Sequence, residues 1–466
     1  MKSNNHNQKG QALVVVLVFT SVFMIVAIGL LQLVATLYKT AVKKQSSLRA
    51  LQIAEAGANY YKWRLSHSPE DYSGSGDYDY TDPYGGIIGH YNLQITPPIL
   101  GSTIVTIRST GYLNDDPNVH RTIEVKFGKR SLSDYSFFTH SNVWFGEDEE
   151  VKGKVHSNGG IRMDGEGDSV VESSREKYIC GPEHGCNYVE HDGVWGTGKI
   201  QELWHFPPIY QVPTIDFNSI SVDLGGAGGL KEKAQSADGD YIGYSGSFGY
   251  RIKFNTNPAT YDLYRVTSTI PTYGYDFSDG WKWRYIDIRN QTYVATYPVP
   301  ENGIIFVEDQ VWVDGTVEGR ITLAAANFLA TGSDRSIIIN NNIDYLEKDG
   351  NHALGLIAQK DILVPLYSPE RLEIDAAMIA QKGHVFIYNY QASRYGANTV
   401  VKDYIEVYGS IGSYNIWTWS WVNAQNTVIS GYKQTETLYD NNLTYAAPPD
   451  FPQKEEYEQI SWKEIH

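Results

Sequence analysis

The stretch that decides the fold lies near the beginning of the chain, where residues 12–31 read ALVVVLVFTSVFMIVAIGLL. No charged residue occurs between Lys9 and Lys39, and only two hydroxyl residues and one glycine interrupt the aliphatic run. Twenty such residues in a helix span about 30 Å, the thickness of the hydrocarbon core of a bilayer. The run therefore predicts a single transmembrane helix.

A cleaved secretory signal is the alternative interpretation of this run. Such a signal has a shorter apolar stretch followed by a small-x-small cleavage motif, whereas residues 33–37 continue the apolar pattern. Amphipathic spacing then extends to residue 65, and the first proline is Pro69. We expect one helix over residues 11–65, roughly 80 Å long, with half in lipid and half against an exported domain.

Charge is divided unevenly along the 466 residues, whose formal net charge is −16. Residues 1–65 carry a balance of +7, and the remaining residues carry −23. An acidic surface repels phosphate, so no nucleic-acid partner is predicted. Lys39, Lys43, Lys44 and Arg49 follow the apolar run, and by the positive-inside rule they favour a cytoplasmic location for the C-terminal side.

Two short motifs carry a resemblance to a known family. Lys9-Gly10, followed by the apolar run that Gln11 opens, resembles a class III prepilin leader, and residues 54–58 (AEAGA) resemble the helix of PilX-type minor pilins. The resemblance implies a leader over residues 1–10, processing by prepilin peptidase between Gly10 and Gln11, and export of everything beyond the helix, against the charge count. Val15 stands where main-shaft pilins carry a glutamate, as in tip-capping pseudopilins.

The exported part is expected to be β-rich. Residues 66–89 have the polar composition of a loop, and period-two alternation predicts antiparallel strands at 91–95, 103–112 and 121–127. Farther on, residues 143–156 are echoed by 311–322 and faintly by 407–411. Short β-branched runs that turn at glycine or asparagine predict a β-solenoid or a stacked β-sandwich. Residues 303–383 also resemble a domain that follows PilX-type N-termini.

The predicted fold class is α+β, mainly β. We expect the following domain boundaries: a prepilin-like leader at 1–10, a transmembrane and amphipathic helix at 11–65, pilin-like antiparallel strands at 66–130, the first part of a β-rich domain at 131–215, an inserted aromatic-rich subdomain at 216–300, a β-solenoid-like part at 301–430 and an extended C-terminal tail at 431–466.

Few residues suggest chemistry. Cys180 and Cys186 favour a disulfide bond in an exported domain over a zinc site, since only His184 lies near as a third ligand. Residues 147–150 and 164–168 are acidic clusters, which we interpret as solvated loops because the second lacks the closing glutamate of a calcium loop. We interpret residues 156–158 (HSN) as a structural polar ladder.

Two aromatic rows remain as a candidate ligand or partner face. They consist of alternating tryptophans on predicted strands: Trp281, Trp283, Trp417, Trp419 and Trp421. If exposed, such rows stack on sugar rings or pack against a partner; if buried, they belong to the core. The spacing of these tryptophans does not distinguish a ligand or partner face from a core.

The sequence thus predicts a minor pilin or pseudopilin-like component of a type IV pilus or a related secretion machine. It would be a single-pass protein of the cytoplasmic membrane with an exported head, and its partners would be other pilins, prepilin peptidase and, as a candidate, surface glycans. No enzyme activity, metal or cofactor is expected. The alternatives are a membrane-anchored adhesin or glycan-binding protein outside any filament, and a β-solenoid polysaccharide-degrading enzyme, for which no acid/base pair is found.

Overall fold

The chain divides into two compact units. The computed structural model describes residues 8–147, 149–200, 212–329, 332–425 and 427–465. The small unit takes the residues up to Pro97, together with Val105–Gly128 and the residues from Tyr457 onward, whereas the large unit takes Pro98–Ile104 and Lys129–Glu456. A long helix leads into a protein dominated by strands, so the predicted α+β, mainly β class is confirmed.

Helices of the described residues are one long element and several short ones. The α-helices are α1 (Gln8–His67), α2 (Ser219–Gly225), α3 (Leu230–Ala234), α4 (Ala392–Tyr395) and α5 (Ala397–Val400), and the 3-10 turns are Leu132–Asp134, Pro182–His184 and Asn441–Thr444.

Strands fill most of the remaining chain. In chain order they are β1 (Gly76–Thr81), β2 (Ile87–Thr96), β3 (Val105–Leu113), β4 (Arg121–Ser131), β5 (Tyr135–Thr139), β6 (Val143–Phe145), β7 (Glu150–Val151), β8 (Lys154–Ser157), β9 (Ile161–Met163), β10 (Glu166–Gly167), β11 (Val171–Ser173), β12 (Lys177–Cys180), β13 (Val189–Asp192), β14 (Val194–Trp195), β15 (Lys199–Ile200), β16 (Asp240–Ile242), β17 (Gly249–Asn255), β18 (Thr260–Asp276), β19 (Gly280–Pro298), β20 (Ile304–Val307), β21 (Val311–Val317), β22 (Arg320–Ala325), β23 (Ile337–Tyr345), β24 (Ala353–Ala358), β25 (Ile362–Val364), β26 (Arg371–Ala380), β27 (Val385–Ile387), β28 (Asn389–Tyr390), β29 (Val401–Ser413), β30 (Ser420–Val422), β31 (Val428–Tyr439) and β32 (Gln453–Ile465).

The small unit is a five-stranded sheet in the order β1-β2-β3-β4-β32. The predicted strands β2, β3 and β4 form an antiparallel meander. The loop predicted over residues 66–89 is wrong in part, because β1 adds to this meander. Its apolar content is low, but Tyr78 packs at 5.4 Å between ring centroids on both Tyr60 and Tyr91, and this contact holds the strand in place.

The large unit stacks successive turns of the chain in parallel. One ladder runs through β16, β20, β22, β24, β26 and β29, with each strand paired in parallel to the next. A second ladder runs through β17, β21, β23, β25 and β27. Aliphatic side chains on these strands are almost fully buried, as expected when parallel coils cover one another. This parallel pairing is the arrangement of stacked coils and not of two antiparallel sheets.

Residues from the beginning of the large unit extend the first ladder. Strand β5 pairs in parallel with β29, and β8 and β11 follow it in the same direction. The long antiparallel hairpin of β18 and β19 departs from the ladders, whereas β16 and β17, just before it, belong to them. The domain boundaries within 131–466 stay a prediction.

Candidate functional site

Among the described residues of the small unit, the first half of α1 has no packing partner. It is uncharged from Gln11 to Tyr38, and none of the residues 11–49 is buried. Phe23 is 74% exposed and Leu31 is 70% exposed. Exposed apolar surface of this extent on soluble proteins marks a contact with lipid or with another protein. By length and composition, the helix segment Gln11–His67 is able to cross a membrane.

The threonine and serine hydroxyls inside this apolar half are satisfied by the helix itself. The hydroxyl of Thr20 donates to the carbonyl of Val16 at 2.7 Å, and that of Ser21 donates to the carbonyl of Leu17 at 2.7 Å. Such internal bonds remove the main cost of placing hydroxyl groups in hydrocarbon. Apart from the exposed amide of Gln32, the surface between Ala12 and Leu37 therefore presents mainly hydrocarbon to a bilayer or to a neighbouring helix.

The two ends of the apolar half differ in charge. Gly10 and Gln11, the predicted processing site, lie in the beginning of α1, and the first turn holds no acidic residue. Residues 1–7 of the predicted leader lie outside the described residues. At the other end, Lys39, Lys43 and Lys44 are exposed, at a level where they can meet anionic headgroups or acidic neighbours.

The second half of α1 lies on the sheet of the small unit. Its buried residues recur at helical spacing: Ala50, Ile53, Ala54, Ala58, Tyr61 and Leu65. Gly57 completes this stripe, since a Cβ at this position would lie 2.5 Å from Ser109 Oγ and 2.7 Å from a ring carbon of Tyr91. The AEAGA motif thus supplies small residues where the helix and the sheet approach most closely.

Exchange of Gly57 tests this contact. Alanine is the better helix former by about 1 kcal/mol, so helix propensity alone predicts that Gly57→Ala stabilises the protein. We expect the opposite, a loss of about 1–3 kcal/mol of unfolding free energy, because the methyl group overlaps Tyr91. Gly29→Ala is the matched control, since its Cβ meets nothing within 4 Å. Urea unfolding of the full chain that showed equal shifts for both variants would contradict the contact.

Cys180 and Cys186 are bonded to each other in the structure. The loop that they close holds His184, which is buried, and burial lowers the pKa of its imidazole. Within the described ranges, no three His, Cys, Asp or Glu side chains are arranged to hold a metal ion.

The acidic clusters supply hydrogen bonds to the fold. Asp164 is 8% exposed and accepts bonds from Trp144 Nε1 at 2.9 Å and Arg162 Nε at 2.7 Å. Asp168 accepts a bond from the backbone N–H of Gly153 at 2.7 Å. Of the first cluster, Asp148 lies outside the described residues. These carboxylates hold turns of the chain together.

Residues 156–158 form a buried polar network. His156 is fully buried, with Nδ1 3.0 Å from Glu172 Oε1 and Nε2 3.0 Å from Asn158 Oδ1. The side chain of Asn158 is held by the backbone of Ile215, which donates to Oδ1 and accepts from Nδ2. With both ring nitrogens occupied inside the core, the network has the geometry of a structural ladder.

The structure separates the tryptophan rows. Trp419 and Trp421 are only 2% and 8% exposed, and Trp417 packs on the ring of Phe137. The row at 417–421 is therefore core and not a ligand face. Trp283, in contrast, is 51% exposed.

The hairpin gathers the second row into one exposed aromatic patch. Trp281 and Trp283 both lie against Tyr273, at 5.6 and 5.3 Å between ring centroids. The guanidinium of Arg394 lies 5.4 Å from the ring of Trp283. Trp281 and Trp283 are therefore the part of the predicted ligand or partner face that remains accessible.

A cleft of about 390 Å³ lies at the open end of the same hairpin, where it meets β16 and β17. Sequence reasoning missed it, because its lining residues come from separate strands and form no motif. The dense tyrosines of residues 216–300 were the available signal. The cleft is lined by Asp240, Tyr241, Ile242, Gly243, Tyr250, Tyr261, Leu263, Arg265, Val294 and Tyr297.

Comparisons with known proteins give little. No protein-family model and no curated protein match the chain. Among solved structures, it is similar to the competence-associated pilin ComZ from Thermus thermophilus, with 14% identity over 90% of this chain and 97% of that chain. The TM-score of this match is 0.29, which is too low to assign a shared fold.

Proposed function

We propose that this chain is a minor pilin or pseudopilin-like structural component of a type IV pilus or a related secretion machine. The observation that carries the proposal is the division of α1. Its first half is exposed hydrocarbon, and its second half is fixed to a sheet through Ala54, Gly57 and Tyr61. One rigid helix can therefore hold a folded head at a set distance from an apolar medium.

The proposed mechanism is lateral packing of helices without catalysis. Before assembly, the apolar half spans the cytoplasmic membrane; in the filament, the same surface packs against the helices of other pilins. Val15 stands where main-shaft pilins carry a glutamate, so the chain offers no acid there to a neighbour's N-terminal amine. This favours a terminal position over repeated use along a shaft.

Export of the head is supported by the bond between Cys180 and Cys186. Disulfide bonds persist in oxidising compartments outside the cytosol. Lys39, Lys43 and Lys44 would then lie at the outer headgroup level, where they can pair with acidic groups of adjacent subunits.

Processing by prepilin peptidase is the test of this function. In membranes of cells with an active peptidase, we expect a chain that begins at an N-methylated Gln11. Gly10→Leu should leave residues 1–10 attached, whereas Gly29→Leu, a glycine with open space around it, should be processed normally. N-terminal mass spectrometry distinguishes these products. An intact Met1 in the unaltered chain would overturn the pilin proposal in favour of a membrane-anchored adhesin outside any filament.

A further inference from the structure

The cleft between β16, β17 and the β18–β19 hairpin has aromatic walls. Tyr261 is 1% exposed and forms its floor, and Tyr297 stacks on it at 5.5 Å between ring centroids, with planes 26° apart. Tyr297 itself is 37% exposed, so its ring reaches the rim. Tyrosine rings offer flat apolar faces together with polar edges, a combination suited to ligands that have both.

Polar groups without partners converge on these walls. Arg265 pairs with Tyr250 across β17 and β18, and its guanidinium makes no hydrogen bond or ion pair with any described residue. The hydroxyls of Tyr250 and Tyr297 likewise have no hydrogen-bond partner among the residues that the structure describes. Arg265 and Tyr297 are exposed and Tyr250 is half-buried, so water serves these groups in the free protein and they stay available to a ligand.

Asp240 adds an acceptor to the same lining. Its Oδ2 accepts a bond from the hydroxyl of Tyr261 at 2.9 Å, while Oδ1 has no partner among the described residues. Burial raises the pKa of this carboxyl, and the phenol of Tyr261 acts against that rise. A half-buried carboxylate with one oxygen already held in place is positioned to accept a further hydrogen bond.

We propose that this cleft binds a neutral saccharide. The volume lies within the range of small-ligand sites, about 300–1,000 Å³. Tyrosine faces match the hydrocarbon face of a pyranose ring, and a guanidinium and a carboxylate in one lining match neighbouring hydroxyls, which donate and accept at once. Because the lining carries one cation and one carboxylate, its net charge is zero, which disfavours anionic and cationic ligands. This binding activity goes beyond filament assembly and does not depend on it.

Calorimetric titration of the full chain tests the proposal. The detergent must have no sugar head group, so lauryldimethylamine oxide serves. The probes are glucose, galactose, mannose, N-acetylglucosamine and the β-1,4-linked disaccharides of glucose and N-acetylglucosamine. At least one is expected to bind, and Arg265→Ala and Asp240→Asn are each expected to weaken it about tenfold or more.

Lys253→Ala is the matched control, because Lys253 is an exposed cation on β17 outside the cleft lining. It should bind as the unaltered chain does, as should Trp283→Ala on the aromatic patch. Thermal unfolding of each variant ensures that only folded protein is compared. The proposal is overturned if none of the probes binds at tens of millimolar, if glucuronate alone binds, or if binding survives both cleft variants. Failure here leaves the processing at Gly10 untouched.

Discussion

Replacing Trp312 by alanine is expected to lower the unfolding free energy of the large unit by about 3–5 kcal/mol. Trp312 is completely buried on β21, between β17 and β23 of the second ladder. Its indole N–H donates to the carbonyl of Ile286 at 2.6 Å, which also ties the hairpin to the ladder. Truncation therefore opens a cavity in the stack and leaves a buried carbonyl without its donor.

Trp283→Ala is the control for this substitution. Trp283 lies on the same hairpin as Ile286 but is half exposed, so its loss should change the unfolding free energy by less than about 1 kcal/mol. Urea unfolding followed by far-ultraviolet circular dichroism measures both. Equal midpoint shifts for the two variants would show that Trp312 does not support the stacked turns.

Removal of the Asp314 carboxylate should have a similarly large effect, about 3–5 kcal/mol for Asp314→Ala. Asp314 accepts bonds from Arg251 Nε and Nη2, both at 2.7 Å, and a third from Asn340 Nδ2 at 3.2 Å. These contacts raise the pKa of the Arg251 guanidinium, which stays charged. Without Asp314, the largely buried guanidinium of Arg251 would lose both ion-pair hydrogen bonds that hold it between β17 and β21.

The double variant Arg251→Met/Asp314→Leu separates the pair from its surroundings. Because it removes both charges, it should regain most of the stability that the single variant loses. Asp403→Ala is the exposed control, since its partner Arg371 is 59% exposed and such pairs contribute about 0–1 kcal/mol. Thermal unfolding in which the double variant was no more stable than Asp314→Ala would refute the argument from buried charge.

Local patterns were enough to predict the helix and three of the five strands of the small unit. The apolar run and the amphipathic spacing beyond it predicted α1, and period-two alternation predicted β2, β3 and β4. Strand β1 was missed because apolar content was taken as the signal, whereas its tyrosines pack by their rings on Tyr60 and Tyr91. Aromatic side chains in a polar context carry strand information that a count of aliphatic residues overlooks.

The sequence did not predict which distant strands pair with each other. The echo of residues 143–156 in 311–322 indicated stacked turns, but it held no information on which turns are neighbours. Ser410 donates to the carbonyl of Tyr135, 275 residues away, where β29 meets β5. Backbone hydrogen bonds between strands do not depend on which side chains the strands carry. The order of strands in a parallel ladder therefore depends on the whole chain.

The candidate site also has a part that the sequence could predict and a part that it could not. The apolar half of α1 is continuous in sequence and could be predicted as a surface. Whether the tryptophans are exposed could not be predicted, because the alternating spacing of Trp417, Trp419 and Trp421 is the same on a core strand as on an exposed strand. The cleft is lined by Asp240, Arg265 and Tyr297 from three different strands, so no single segment of the sequence predicts it.

The route of the chain between its units has a mechanical consequence. The chain passes from one unit to the other after Pro97, Ile104, Gly128 and Glu456. Strand β32 returns to the first sheet, where Glu464 pairs with Arg121, 343 residues earlier. A pulling force on the large unit is therefore shared by several covalent connections. A single proteolytic cut after Gly128 would leave both fragments joined through the hydrogen-bonded strands β4 and β32, so we expect the large unit to stay attached to α1.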